Sequence, residues 1–172
     1  MAIFHRYKST IHGNYRRAGL RCGLIAGLLL MAYVLIRLLM GRPVPAPTSL
    51  VFDAILLVSL FLFTAYYRNS LPEKKITLKE VLLFGIVTAV VAALFFALTM
   101  WALGLAFPAQ TVLFTTSMTG QETSLADPQL HYWAAWWAIV IGVELTIVGA
   151  FGAFLAAVVF KNEKAEIHKH KS

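Results

Sequence analysis

Four long apolar stretches divide this chain of 172 residues, at about 18–40, 49–67, 78–107 and 128–160, and polar positions gather in the gaps between them. A helix rises about 1.5 Å per residue, so roughly 20 apolar residues cross the ~30 Å of hydrocarbon in a bilayer. Each stretch is long enough for that. The pattern predicts an all-α, polytopic membrane protein: four transmembrane helices in a single domain over residues 1–172, with short cytosolic tails at both ends. The connections leave no room for a separate soluble domain.

Local signals place the helix ends. Gly41 to Pro47 is Pro-rich and reads as a hairpin that cannot continue a helix. Ser49 is a candidate N-cap for the second span, with Asp53 near the positive end of that helix dipole. Thr77-Leu78-Lys79-Glu80 fits a capping box, and Ile76 with Val81 fits the hydrophobic staple around it. Pro108 is expected to end the third helix, and residues 108–127 read as a connection lying partly on the bilayer surface. Asp127 and Pro128 read as N-cap and first position of the fourth helix. Tyr132, Trp133, Trp136 and Trp137 form an aromatic belt at its start. The first apolar run exceeds the core of a usual signal peptide and follows a long leading segment, so it is read as a retained span.

Charge adds an orientation. Thirteen of the fifteen Lys and Arg residues lie before or at the start of the first span, between the second and third, or after the fourth. Only Arg37 and Arg42 fall on the other side. Positive-inside bias then puts both termini in the cytosol of a bacterial inner membrane. The net charge of +7 fits anionic lipid rather than nucleic acid, because the basic residues flank apolar spans. Membrane lipids are the expected partners, with a homo-oligomer or larger membrane complex beside them. The single cysteine, Cys22, excludes an intrachain disulfide and a cysteine-cluster metal site.

Candidate chemistry is sparse. Glu144 stands out, because an acidic side chain near mid-membrane costs on the order of 3 kcal/mol on insertion scales. It reads as a neutral acid hydrogen-bonded between helices, as a proton- or cation-coupling carboxyl, or as a contact to another subunit. Counting depth from the outer helix ends puts Tyr33 and Thr99 near its level, as candidate partners. Arg37 and Asp53 lie near the outer ends of adjacent antiparallel helices, either as an ion pair or as two independent interfacial charges. Small residues recur at every fourth position: Gly19, Gly23 and Gly27; Gly85, Ala89, Ala93 and Ala97; Gly149, Ala153 and Ala157. That spacing lays a flat strip along one helix face and lets backbones approach closely, within one bundle or between copies. The second span has no such strip and is expected at the periphery.

His5, His12, His168 and His170 fall in the termini and His131 at the outer interface, so membrane-embedded paired-histidine haem ligation is not expected. The chain carries no Walker A loop, dinucleotide fingerprint, zinc-protease helix or serine nucleophile elbow. No catalytic residue, metal ligand or cofactor is therefore assigned, and an enzyme is not expected.

Tyr66-Tyr67-Arg68-Asn69, then Ile76-Thr77-Leu78-Lys79-Glu80, then Gly85 carry a family likeness. The layout resembles a bacterial family of four-helix membrane proteins catalogued only as a domain of unknown function. Leu78 stands where an aromatic residue is expected. The resemblance covers about residues 14–165 and implies topology and bacterial origin, with no activity attached. The functional expectation is a non-enzymatic accessory or scaffold subunit. The alternative is a small proton- or cation-coupled transporter or channel-like oligomer using Glu144.

Overall fold

The structure is a computed structural model that describes residues 2–40, 48–71, 76–119, 124–125 and 128–160; for 2–14, 48–49, 110, 113–114 and 117–119 it describes the backbone alone. The expected 41–47 hairpin, Asp127 as a cap and the basic tail after Phe160 lie outside those residues.

Among the described residues five helices follow in chain order: α1 Ala2–Leu39, α2 Thr48–Ser70, α3 Leu78–Ala106, α4 Pro108–Thr119 and α5 Leu130–Phe160. Four of them are long and apolar enough to cross a membrane, α1 through its Tyr15–Leu39 portion. The chain is an all-α, multi-pass bundle.

The helix ends follow local chemistry, with some departures. Thr77 adopts extended geometry and its hydroxyl accepts from the Glu80 N–H, while Glu80 Oε2 accepts from the Thr77 N–H at 3.1 Å. This reciprocal box satisfies donors that a helix start otherwise leaves orphaned. Ile76 and Val81 are both fully buried beside it. At the other end of α3 the Phe107 N–H donates to Leu103 O at 2.8 Å. Pro108 then opens a new helix rather than a loop, since proline at a first helical position gives up no needed hydrogen bond. The connection expected over 108–127 is thus corrected: it holds α4. Three further boundaries shift. α1 starts at Ala2, well before its apolar stretch. α2 already includes Thr48, so Ser49 lies inside the helix instead of capping it. α5 begins at Leu130, and Pro128 sits in the turn before it, where the Gln129 carbonyl accepts from the Tyr132 and Trp133 N–H groups.

The spanning helices form a ring in the order α1–α3–α5–α2, with α1 and α5 diagonally opposite. α3 is the most enclosed and packs mainly on α5 and α1, whereas α2 leans chiefly on α5. The small-residue strips explain this order. A methyl placed on Gly85 would lie 2.5 Å from Ala153 Cβ, and one on Gly104 would lie 2.8 Å from Ala134 Cβ. Gly149 likewise meets Ala89, and Gly142 meets Ala97. These contacts share one antiparallel register, so α3 and α5 pack glycine against alanine along their length. The α1 strip serves a different neighbour. Gly19, Gly23 and Gly27 receive the larger Val87, Val91 and Phe95 of α3, with a methyl meeting each within 3 Å. The two backbones approach because glycine leaves room for the partner's side chain.

The centre is closed by side chains. Leu30, Leu56, Leu60 and Phe96 are fully buried, and Phe52 and Leu145 nearly so. Phe52 packs against Tyr33 edge-on at 5.6 Å and against Phe96 at 4.9 Å. A second cluster at the capping-box end gathers Tyr15, Ile76, Val81, Phe84 and Ala157, with Tyr67 stacked on Phe84 at 4.6 Å.

Candidate functional site

Two acidic side chains, Asp53 and Glu144, sit toward the end of the bundle that carries α4, while the buried Thr64 and Thr88 lie toward the capping-box end. α2 and α5 run parallel, with Leu56 against Gly149 and both Leu57 and Leu60 against Gly152. This register brings Asp53 of α2 beside Glu144 of α5, and the two carboxyl groups lie within electrostatic reach of each other. Both residues are half-buried. Asp53 Oδ1 is buried and accepts no hydrogen bond. The intramembrane acid therefore has an acidic neighbour that depth counting along separate helices did not pair with it.

The expected partners of Glu144 are placed differently. Thr99 donates its hydroxyl to Phe95 O at 2.8 Å, within its own helix. The α3–α5 register sets Thr99 level with Ile139, more than a turn from Glu144. Tyr33 is engaged with Phe52, the residue just before Asp53, and so sits on the α1–α2 side of the group. Arg37 follows Tyr33 by one turn on the same face of α1; it is half-buried, with Nε inside the protein. Tyr33, Arg37 and Asp53 thus share one end of the α1–α2 hairpin, and Glu144 completes the group from α5.

At the same end, α4 docks through two threonines one turn apart. Thr111 and Thr115 are both buried. The Thr111 hydroxyl donates to Gly104 O at 3.1 Å, and Trp137 Nε1 donates to Thr115 Oγ1 at 3.1 Å. Trp137 therefore fastens α4 to α5 in addition to standing in the aromatic belt. Beneath α4 lies a small half-open cleft of about 60 Å³ between α1, α3, α4 and α5. Its walls include Val34, Leu38, Met100, Phe107, Trp137 and Ile141. Neither this cleft nor Gly152, which seats α2, was marked by the four-residue strips. The aromatic belt and the 3.6 period of α5 were the available signals.

The first three spans meet a known sequence pattern. Residues 21–104 match the family model described as Protein of unknown function (DUF4199). The DUF4199 match covers just under half of the chain, from Arg21 to the glycine that receives the Thr111 hydrogen bond. It is narrower than the stretch over which the layout resembles such a family, and it contains the Tyr66–Asn69, Ile76–Glu80 and Gly85 signals. Tyr33, Arg37, Asp53 and Thr99 lie inside the DUF4199 match, whereas α4 and Glu144 lie beyond it. No curated protein and no solved structure matches the chain. Among the described residues, no three His, Cys, Asp or Glu side chains come together as a metal site.

Proposed function

We propose that this protein is a non-enzymatic accessory or scaffold subunit of the bacterial cytoplasmic membrane, with both termini cytosolic. One observation carries the reading. The bundle centre is filled by Leu30, Leu56, Leu60 and Phe96, each fully buried, so a single copy offers a packed rod rather than a conduit along its axis. The distribution of Lys and Arg supports the orientation. The lipid-facing sides of α3 and α5 carry rows of exposed Leu, Ile, Val and Phe, which suit lipid or a partner helix. Native purification in mild detergent, followed by mass spectrometry of what co-elutes, tests the role. A larger complex supports an accessory subunit; recovery alone or only with copies of itself argues against one.

A second reading has its own observation. Asp53 and Glu144 lie within electrostatic reach of each other on apolar helices, and a neighbouring pair of carboxyls supports a proton- or cation-coupled carrier. Glu144→Gln separates the two. The amide keeps shape and hydrogen-bonding capacity, so a scaffold retains its assembly, whereas a carrier loses pH-dependent flux in reconstituted vesicles.

A further inference from the structure

Resting on the accessory-subunit reading, we infer that the first turns of α1 are the docking element for an acidic amphipathic helix of a partner protein, held through Phe4, Tyr7 and Ile11.

Helix register sets this segment apart. α1 and α3 run parallel, since Gly19, Gly23 and Gly27 meet Val87, Val91 and Phe95 in turn. Leu78, the first residue of α3, is therefore level with about Thr10 of α1. α3 and α5 run antiparallel, with Gly85 against Ala153, so α5 ends at Phe160 near that same level. α2 ends no further out, because Tyr67, one turn before its end, shares a cluster with Tyr15. α1 nevertheless continues to Ala2. Its first two turns extend past every other described helix.

The sequence of this segment is amphipathic. Phe4, Tyr7 and Ile11 recur three and four residues apart, on the face of α1 that carries Tyr15, Ala18 and Cys22. Those last three pack into the cluster of Tyr67, Ile76 and Phe84. Lys8 flanks the row, and Arg6 and Ser9 lie across the helix from it. The face that α1 buries in the bundle thus continues as an apolar row where α2, α3 and α5 have ended.

Geometry and charge select the occupant. The apolar portion of α1 begins near Tyr15. At 1.5 Å per residue, Tyr7 and Phe4 lie about 12 and 17 Å beyond it, whereas the interfacial layer is only about 5–8 Å deep on each side. A helix continuous with a spanning one cannot turn to lie along the bilayer, so lipid does not cover these turns. No Asp or Glu precedes Asp53, while Arg6, Lys8, Arg16 and Arg17 all belong to this part of α1. A second copy would set the same positive charges against them. The chain's own segment after Phe160 carries four Lys against two Glu, and does not complement them either. A partner helix with apolar residues three and four apart and Asp or Glu beside them matches both the row and its charge.

Photocrosslinking in native membranes tests the site, with p-benzoylphenylalanine in place of Tyr7 in the full chain and the adducts read by mass spectrometry. The expected adduct is to another protein, through an acidic peptide with that apolar spacing. The same probe in place of Ser9 should give little of it. Arg6→Gln with Lys8→Gln should lower the Tyr7-probe yield about fivefold, the effect of two exposed ion pairs, and added salt should lower it likewise. Helical content and labelling by a membrane-impermeant reagent confirm that the neutralised variant keeps its fold and orientation. Adducts only to lipid, to a second copy or to residues 161–172, no adduct at all, equal yield from the Ser9 probe, or an unchanged yield after neutralisation overturns the proposal. Native purification keeps the two readings apart. A larger complex that survives Phe4→Ser with Tyr7→Ser leaves the accessory role standing and removes this docking element, whereas a wild type recovered alone argues against the accessory role itself.

Discussion

Single residues decide how closely these helices approach. Gly149 is the clearest case, since a side chain there would meet Ala89 on α3 and Leu56 on α2 at once. Gly149→Val should lower stability by about 1–3 kcal/mol through overpacking, read as a reduced midpoint in a detergent unfolding titration. Ala150→Val, one position on and exposed, should leave the midpoint unchanged. Thr77 tests a different term. Its hydroxyl serves the Glu80 N–H, so Thr77→Ala should cost ~1 kcal/mol in the same titration, and Thr77→Ser should recover most of it. Both positions were visible in the sequence, one as a small residue at a four-residue interval and the other as half of a Thr-x-x-Glu box. The Asp53–Glu144 neighbourhood was not visible. Each residue was placed by counting from its own helix end, and that count assumes helices of equal reach. α5 extends about three turns beyond the start of α2, so depth counted from ends misses the lateral register that Leu56 and Gly149 set.

At the scale of elements, apolar length placed the four long helices to within a few residues, except at the start of α1, and capping chemistry fixed the start of α3 alone. The helical continuation of α1 back to Ala2 carries no apolar run, so a reading based on hydropathy stops where the membrane portion starts, near Tyr15. α4 went unread for a related reason. Its residues include several Thr, which are poor helix formers, and Pro108 signals the end of α3 as readily as the start of a new helix. The structure shows what compensates: Thr111 and Thr115 turn their hydroxyls inward to Gly104 O and Trp137. This makes α4 dependent on tertiary contacts. Trp137→Phe keeps an aromatic ring but removes the pyrrole portion with its N–H donor, leaving the buried Thr115 hydroxyl without that partner. Amide hydrogen exchange over residues 108–119 should then accelerate about tenfold or more, as expected for loss of roughly 1.5 kcal/mol of local stability, while exchange across α3 stays as it was. Equal acceleration in α3 would show that Trp137 supports the whole bundle instead.

The molecule has four helices long and apolar enough to cross a membrane, and if all four cross, the start of α1 and the end of α5 share a side. The sign comes from charge alone. In the orientation proposed from the positive-inside bias, the capping-box end is cytosolic and the α4 end is outside. These two statements can be separated by cysteine labelling, because the chain has only Cys22, which Cys22→Ala removes. Leu125→Cys lies exposed between α4 and α5, and Ser70→Cys lies exposed at the end of α2. In spheroplasts a membrane-impermeant maleimide should label Leu125→Cys and should reach Ser70→Cys only after the membrane is opened. The reverse pattern would keep the fold and invert the orientation. Labelling of both sites without permeabilisation would mean that α3 does not cross the bilayer between them. The glycine–alanine seam with α5 would then need another explanation, because its register runs the full length of both helices.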